Sequence, residues 1–77
     1  MEKLYYIGLD VHKKSIQYCI KRIDGEIVRE GRVAATRAAL ADWVRGVDRP
    51  WKAALEATMF SAWIYDALKP HAVELKV

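Results

Sequence analysis

Residues 4–11 read Leu-Tyr-Tyr-Ile-Gly-Leu-Asp-Val, a β-prone run that stays almost wholly apolar until Asp10. An uninterrupted apolar strand belongs in the middle of a sheet, because it has no polar phase to offer to water. The rest of a 77-residue chain must be arranged around it. His12-Lys13-Lys14 break the run and make a tight connection. Over residues 15–23, Ile16, Tyr18, Ile20 and Arg22 share one phase and Ser15, Gln17, Cys19 and Lys21 the other, which predicts a half-buried strand. Asp24-Gly25 is a two-residue hairpin signal, because glycine tolerates the positive φ of such a turn. Residues 26–33 return as a third strand, and Arg29, Glu30 and Arg32 give it the polarity of an exposed edge.

The period then changes. Thr36 is placed to cap a helix, and Leu40, Trp43, Val44 and Val47 follow helical spacing until Asp48-Arg49-Pro50. Residues 52–57, Lys-Ala-Ala-Leu-Glu-Ala, favour helix by propensity, but the run is short and bounded by Pro50 and Thr58, so a strand is predicted. A second helix is expected from Thr58, burying Phe60, Trp63, Ile64, Ala67 and Leu68 and stopped by Pro70. Residues 72–77 alternate Val73, Leu75 and Val77 against Glu74 and Lys76, as a last strand would.

The element string is β-β-β-α-β-α-β. Helices that join parallel strands cross over right-handedly. The simplest α/β arrangement is a mixed five-stranded sheet in the order 3-2-1-4-5 with two crossover helices, the layout of ribonuclease-H-like domains. Seventy-seven residues make one domain at most. With 53% apolar and 30% charged residues the chain is not a disordered tail. A net charge of +3 permits a polyanionic partner without demanding one. The single cysteine, Cys19, excludes an internal disulfide, fits a reducing compartment and is expected to be a small buried hydrophobe. Neither a membrane-length apolar run nor a signal peptide is expected.

Asp10 is the residue to explain, since an unpaired carboxylate at the end of a central strand is costly to bury. On one reading it caps the turn by accepting from the amides of residues 12–14. On the other it is a metal ligand. Glu56 closes the fourth strand beside the first, and adjacent strands lie about 4.8 Å apart, so the two carboxylates can share one cation. Oxygen ligands favour Mg²⁺ or Mn²⁺. Lys13 and Lys14 are either a solvated turn or phosphate contacts beside that cation. His12 reads as a partly exposed loop histidine, a general base or a ligand, and His71 as structural. Trp43 and Trp63 sit on apolar stripes and are expected in the core, while Trp51 is open between core and base stacking.

Tyr6-Ile7-Gly8-Leu9-Asp10-Val11-His12-Lys13-Lys14-Ser15, then Asp24-Gly25, then Ala54-Leu55-Glu56-Ala57-Thr58 resembles the N-terminal domain of the DEDD-type insertion-sequence transposases. These are related to Piv-like DNA invertases and similar to the Holliday-junction resolvase RuvC. The resemblance spans essentially the whole chain. It implies a ribonuclease-H-like fold, with Asp10 as the first acid and Glu56 as the second of a catalytic, metal-binding tetrad. The last two acids, in a D-x-x-D arrangement on a helix beyond the fifth strand, are expected outside these residues, as is a C-terminal domain carrying a nucleophilic serine. Met59 stands where family members usually carry glycine. The implied activity is metal-dependent DNA cleavage and strand exchange in a prokaryotic cytoplasm, with Mg²⁺ or Mn²⁺ held weakly by two carboxylates. Implied partners are DNA, a structured guide RNA, and further copies of the chain in a dimer or tetramer. Without the helix beyond the fifth strand, apolar surface is expected to be exposed, which predicts a homodimer or larger joined through the edge of the last strand.

Two other classes compete. One is a non-catalytic DNA-binding or assembly module, for which metal ions would change nothing. The other is an ATP-binding domain of the actin and sugar-kinase type, whose first strand also reads Ile-Gly-x-Asp. That phosphate loop needs Gly and Thr after the Asp, where this chain has His12 and Lys13.

Overall fold

The computed structural model describes residues 3–57 and 62–77. Strands β1 (Tyr5–Val11), β2 (Ser15–Lys21) and β3 (Ile27–Ala34) form an antiparallel meander. Helix α1 (Arg37–Arg45) leads to β4 (Trp51–Ala57), and α2 (Ala62–Leu68) with a 3-10 turn at Lys69–His71 leads to β5 (Glu74–Lys76). The sheet order is β3-β2-β1-β4-β5, with β4 parallel to both β1 and β5. This is the α/β arrangement expected from the sequence.

The connections decide which face is covered. From β3 to β4 and from β4 to β5 the chain moves in the same direction across the sheet. Two crossovers of one hand travelling the same way put both helices on one face. That face holds the core: Ile7, Leu9, Val11, Ile16, Ile20 and Leu55 from the strands meet Leu40, Trp43, Ile64 and Leu68 from the helices. Trp51 belongs to this core and stands edge-on to Trp43, with ring centroids 5.9 Å apart, which settles its role as packing. Among the described residues, no helix lies over the opposite face. Tyr6, Gly8 and Ala54 are exposed there although β1 and β4 are interior strands.

Thr36 caps α1 as expected, its Oγ1 accepting from the Ala39 N–H at 3.2 Å. The helix stops earlier than expected, at the Gly46 cap, and Val47 packs against the core from the following loop. Residues 51–57 are a strand despite their helix-forming composition, because β1 and β5 supply ladder partners on both sides. β5 is shorter than expected. Only Leu75 is partly buried, while Val73 and Val77 are exposed. The expected start of the second helix at Thr58 and the burial of Phe60 lie outside the described residues.

The β2–β3 turn corrects a detail. β2 ends at Lys21, and Arg22 pairs with Glu26 through an Arg22 N–H to Glu26 carbonyl bond of 2.9 Å. The connection is therefore the three residues Ile23-Asp24-Gly25, not Asp24-Gly25 alone. Gly25 takes the left-handed position of this turn, with φ at 89°. A β-carbon there would meet nothing within 4 Å, so the penalty for a side chain is purely conformational. Gly25→Ala is expected to lower stability by about 1–2 kcal/mol in urea denaturation, and Gly25→Asn by less. Equal losses would assign the effect to something other than the left-handed backbone.

Candidate functional site: the carboxylate pair on the open sheet face

Asp10 and Glu56 are register partners on the parallel strands β1 and β4. Both lie near the C-terminal ends of their strands, and both alternate out of phase with the buried Leu9 and Leu55. Their side chains therefore share the open face, about 4.8 Å apart at the backbone. Asp10 is half-exposed and accepts from His12, whose Nε2 lies 3.1 Å from its Oδ2. The Asp10 carboxylate is engaged by the His12 ring and not, among the described residues, by the amides of residues 12–14, so the turn-capping reading is not the one the geometry contains. The hairpin closes instead through the His12 N–H to the Ser15 carbonyl at 2.8 Å, leaving Lys13 and Lys14 exposed at its tip.

Ladder registers extend the site across the sheet. One row runs Arg32, Gln17, Asp10, Glu56. The next runs Glu30, Cys19, Gly8, Ala54, Lys76, and its middle is a trough of small side chains. A third runs Lys21, Tyr6, Lys52, Glu74. A shallow depression spans the first two rows and contains Asp10, Glu56, Glu30 and Arg32. Carboxylates thus gather at one end of the face and lysines at the other.

Cys19 is a correction. It is only partly buried, lies in the trough and places its Sγ 3.9 Å from a Glu30 carboxylate oxygen. Strand phase, not residue type, decides its place: Ile16 and Ile20 hold the core phase, so Cys19 faces away. Gln17, Glu30 and Arg32 are site neighbours that the sequence reading did not single out. Their signal was available, because the hairpin register and the off-core phase of residues 17 and 19 together place them beside Asp10. His71 lies in the 3-10 turn, on a different element from the carboxylates. Met59 lies outside the described residues.

Two carboxylates suit a hard divalent cation that keeps most of its waters and takes remaining ligands from a phosphate. No group of three or more His, Cys, Asp or Glu side chains suited to a metal forms among the described residues. Among the described residues, no helix is long and apolar enough to cross a membrane. No protein-family model matches the chain, and no curated protein matches it in sequence.

Proposed function

We propose that this chain is the N-terminal catalytic-domain portion of a DNA transposase or recombinase of the DEDD type, with a ribonuclease-H-like fold, working in a prokaryotic cytoplasm. The observation that carries the reading is the register of Asp10 with Glu56 on neighbouring parallel strands. Asp10 and Glu56 would hold Mg²⁺ or Mn²⁺, and that ion would supply charge stabilisation for phosphodiester cleavage and strand transfer. His12, donating to Asp10, restricts the carboxylate's rotamers and keeps one oxygen engaged. Lys13 and Lys14, on the adjoining hairpin tip, offer positive charge to DNA phosphates. Gly8 and Ala54 keep the face low beside the carboxylates, so a backbone can approach. With two ligands such an ion would be weakly held, and the chain by itself is expected to cleave poorly. The same reading includes a guide RNA and self-association as partner interactions.

A second reading is favoured by one observation, the lack of a third carboxylate or imidazole in a ligating group among the described residues. It makes the chain a non-catalytic DNA-binding or assembly module.

A thermal melt with Mg²⁺ or Mn²⁺ separates the two. At about 100 times its dissociation constant a ligand adds roughly 2.7 kcal/mol, which is on the order of 10–20 °C for a domain this small. The nuclease reading expects a metal-dependent rise in the parent that Asp10→Asn and Glu56→Gln both abolish. No shift in the parent, with DNA binding retained, would leave the assembly module.

A further inference from the structure

The two free edges of the sheet differ in kind. β5 offers three residues, Glu74–Lys76, of which two are charged. β3 offers eight, Ile27–Ala34, all exposed except the half-buried Val33. It carries no proline to block pairing. Unpaired N–H and C=O groups along such an edge are a template for another strand.

The hydrogen-bond phase of that edge is fixed. The Ala35 N–H donates to the Lys14 carbonyl, so the odd-numbered residues of this stretch turn their backbone groups towards β2. Val33 and Gly31 therefore point inward. Glu30 and Arg32 present their N–H and C=O groups to solvent, while the Ala34 carbonyl accepts from the Thr36 N–H at 2.8 Å. An incoming antiparallel strand must align its own outward residues with these.

We propose that β3 pairs antiparallel with β3 of a second copy, about a two-fold axis through Gly31. The sequence selects this register. Centred on Glu30, the pairing would set two glutamates directly opposite each other. Centred on Arg32, it would set two arginines opposite each other. Like charges in directly opposed positions destabilise a ladder. Centred on Gly31, Glu30 of each copy faces Arg32 of the other, and these are the outward, hydrogen-bonded positions. Each such pair exchanges both of its backbone bonds and adds an ion pair. Gly31 removes side-chain bulk at the axis, where opposed residues approach most closely. The β2–β3 register shifts between Arg29 and Ile27 and leaves Val28 without a β2 partner, so the regular part of the edge runs from Arg29.

The result is a continuous ten-stranded sheet whose two open faces lie on the same side. The carboxylates at the β1 positions of the two copies stand five strand spacings apart, about 24 Å. Arg32 of the second copy enters the depression beside Glu30, so each copy completes the charge pattern of the other's face. This edge takes the place of the β5 edge expected from the sequence. The pairing rests on β3 alone and stands or falls independently of the nuclease reading.

Charge reversal tests the register. Glu30→Arg sets arginines opposite arginines at both pairs, and Arg32→Glu sets glutamates opposite glutamates. Both positions are exposed, so both variants should keep the parent's circular dichroism, and its melt when all are measured at concentrations where the parent is monomeric. Sedimentation equilibrium is expected to show a parental dimer that each variant weakens on the order of tenfold or more. An equimolar mixture of the two variants restores every Glu–Arg pair, and should dimerise about as tightly as the parent. If either variant fails to fold, Glu30→Lys and Arg32→Asp repeat the same logic. A parent that stays monomeric at every concentration, variants that dimerise as tightly as the parent, or a mixture no tighter than its components would each overturn the proposal.

Discussion

Trp43→Ala should remove at least about a quarter of the folding stability of the chain. Trp43 is the one side chain of α1 that spans the core laterally. It stacks at a tilt on Tyr18 of β2, with centroids 5.4 Å apart, and stands edge-on to Trp51 of β4, at 5.9 Å. These strands lie on either side of β1, so Trp43 ties the meander to the parallel half of the sheet. Truncating a buried tryptophan costs about 3–5 kcal/mol. The whole domain has roughly 4–12 kcal/mol to lose at the usual stability per residue. The melting midpoint should fall by at least about 12 °C.

The same residue carries a flaw that sharpens the test. Its Nε1 is buried without a hydrogen-bond partner among the described residues. An orphaned buried donor costs about 1–3 kcal/mol. Trp43→Phe removes that donor while keeping an aromatic ring between Tyr18 and Trp51. Lost volume and relieved desolvation then oppose one another, and the net change should stay within about 1.5 kcal/mol. Far-UV circular dichroism in urea measures both variants without relying on tryptophan fluorescence. An alanine variant melting within a few degrees of the parent would mean that the two halves of the sheet hold together without this bridge.

The topology was legible because the sequence changes period where the structure changes element. Ile16 and Ile20 mark the core phase of β2, and Leu40 and Trp43 mark the helical stripe of α1. The Asp10–Glu56 register was legible only through topology, since 46 positions separate them and no local pattern links them. The uncovered face was not read as such. Residues 4–9 look like a strand buried on both sides, yet Tyr6 is 38% exposed. Apolar composition cannot reveal which side a crossover takes, and here both crossovers take the same side. The β2–β3 turn was misjudged by one residue because Asp-Gly serves a two-residue turn and the end of a three-residue turn equally well. Cys19 was misplaced by trusting the average burial of cysteine over the phase of its own strand.

Leu68→Ala should separate the domain into a firm part and a loose one. The seven described residues of α2 are fewer than an isolated helix needs to hold by propensity alone. Its attachment rests on Ile64 and Leu68, one turn apart and almost wholly buried. Removing the Leu68 side chain is expected to cost about 2–5 kcal/mol. That cost should appear first where packing is thinnest: α2, the 3-10 turn after it, and β5, whose three residues pair with β4 alone. Amide exchange should therefore accelerate across residues 62–76 well before it does in β1 and β2, whose Ile7, Leu9, Ile16 and Ile20 keep their cover from α1 and from one another. β4 stays paired to β1 along its length, so Asp10 and Glu56 keep their register in this variant. The β3 edge lies at the opposite end of the sheet, so self-association should survive as well. Uniform acceleration across all five strands would mean instead that α2 holds the whole sheet in one cooperative unit, and that the carboxylate pair depends on a helix packed on the other face of the sheet.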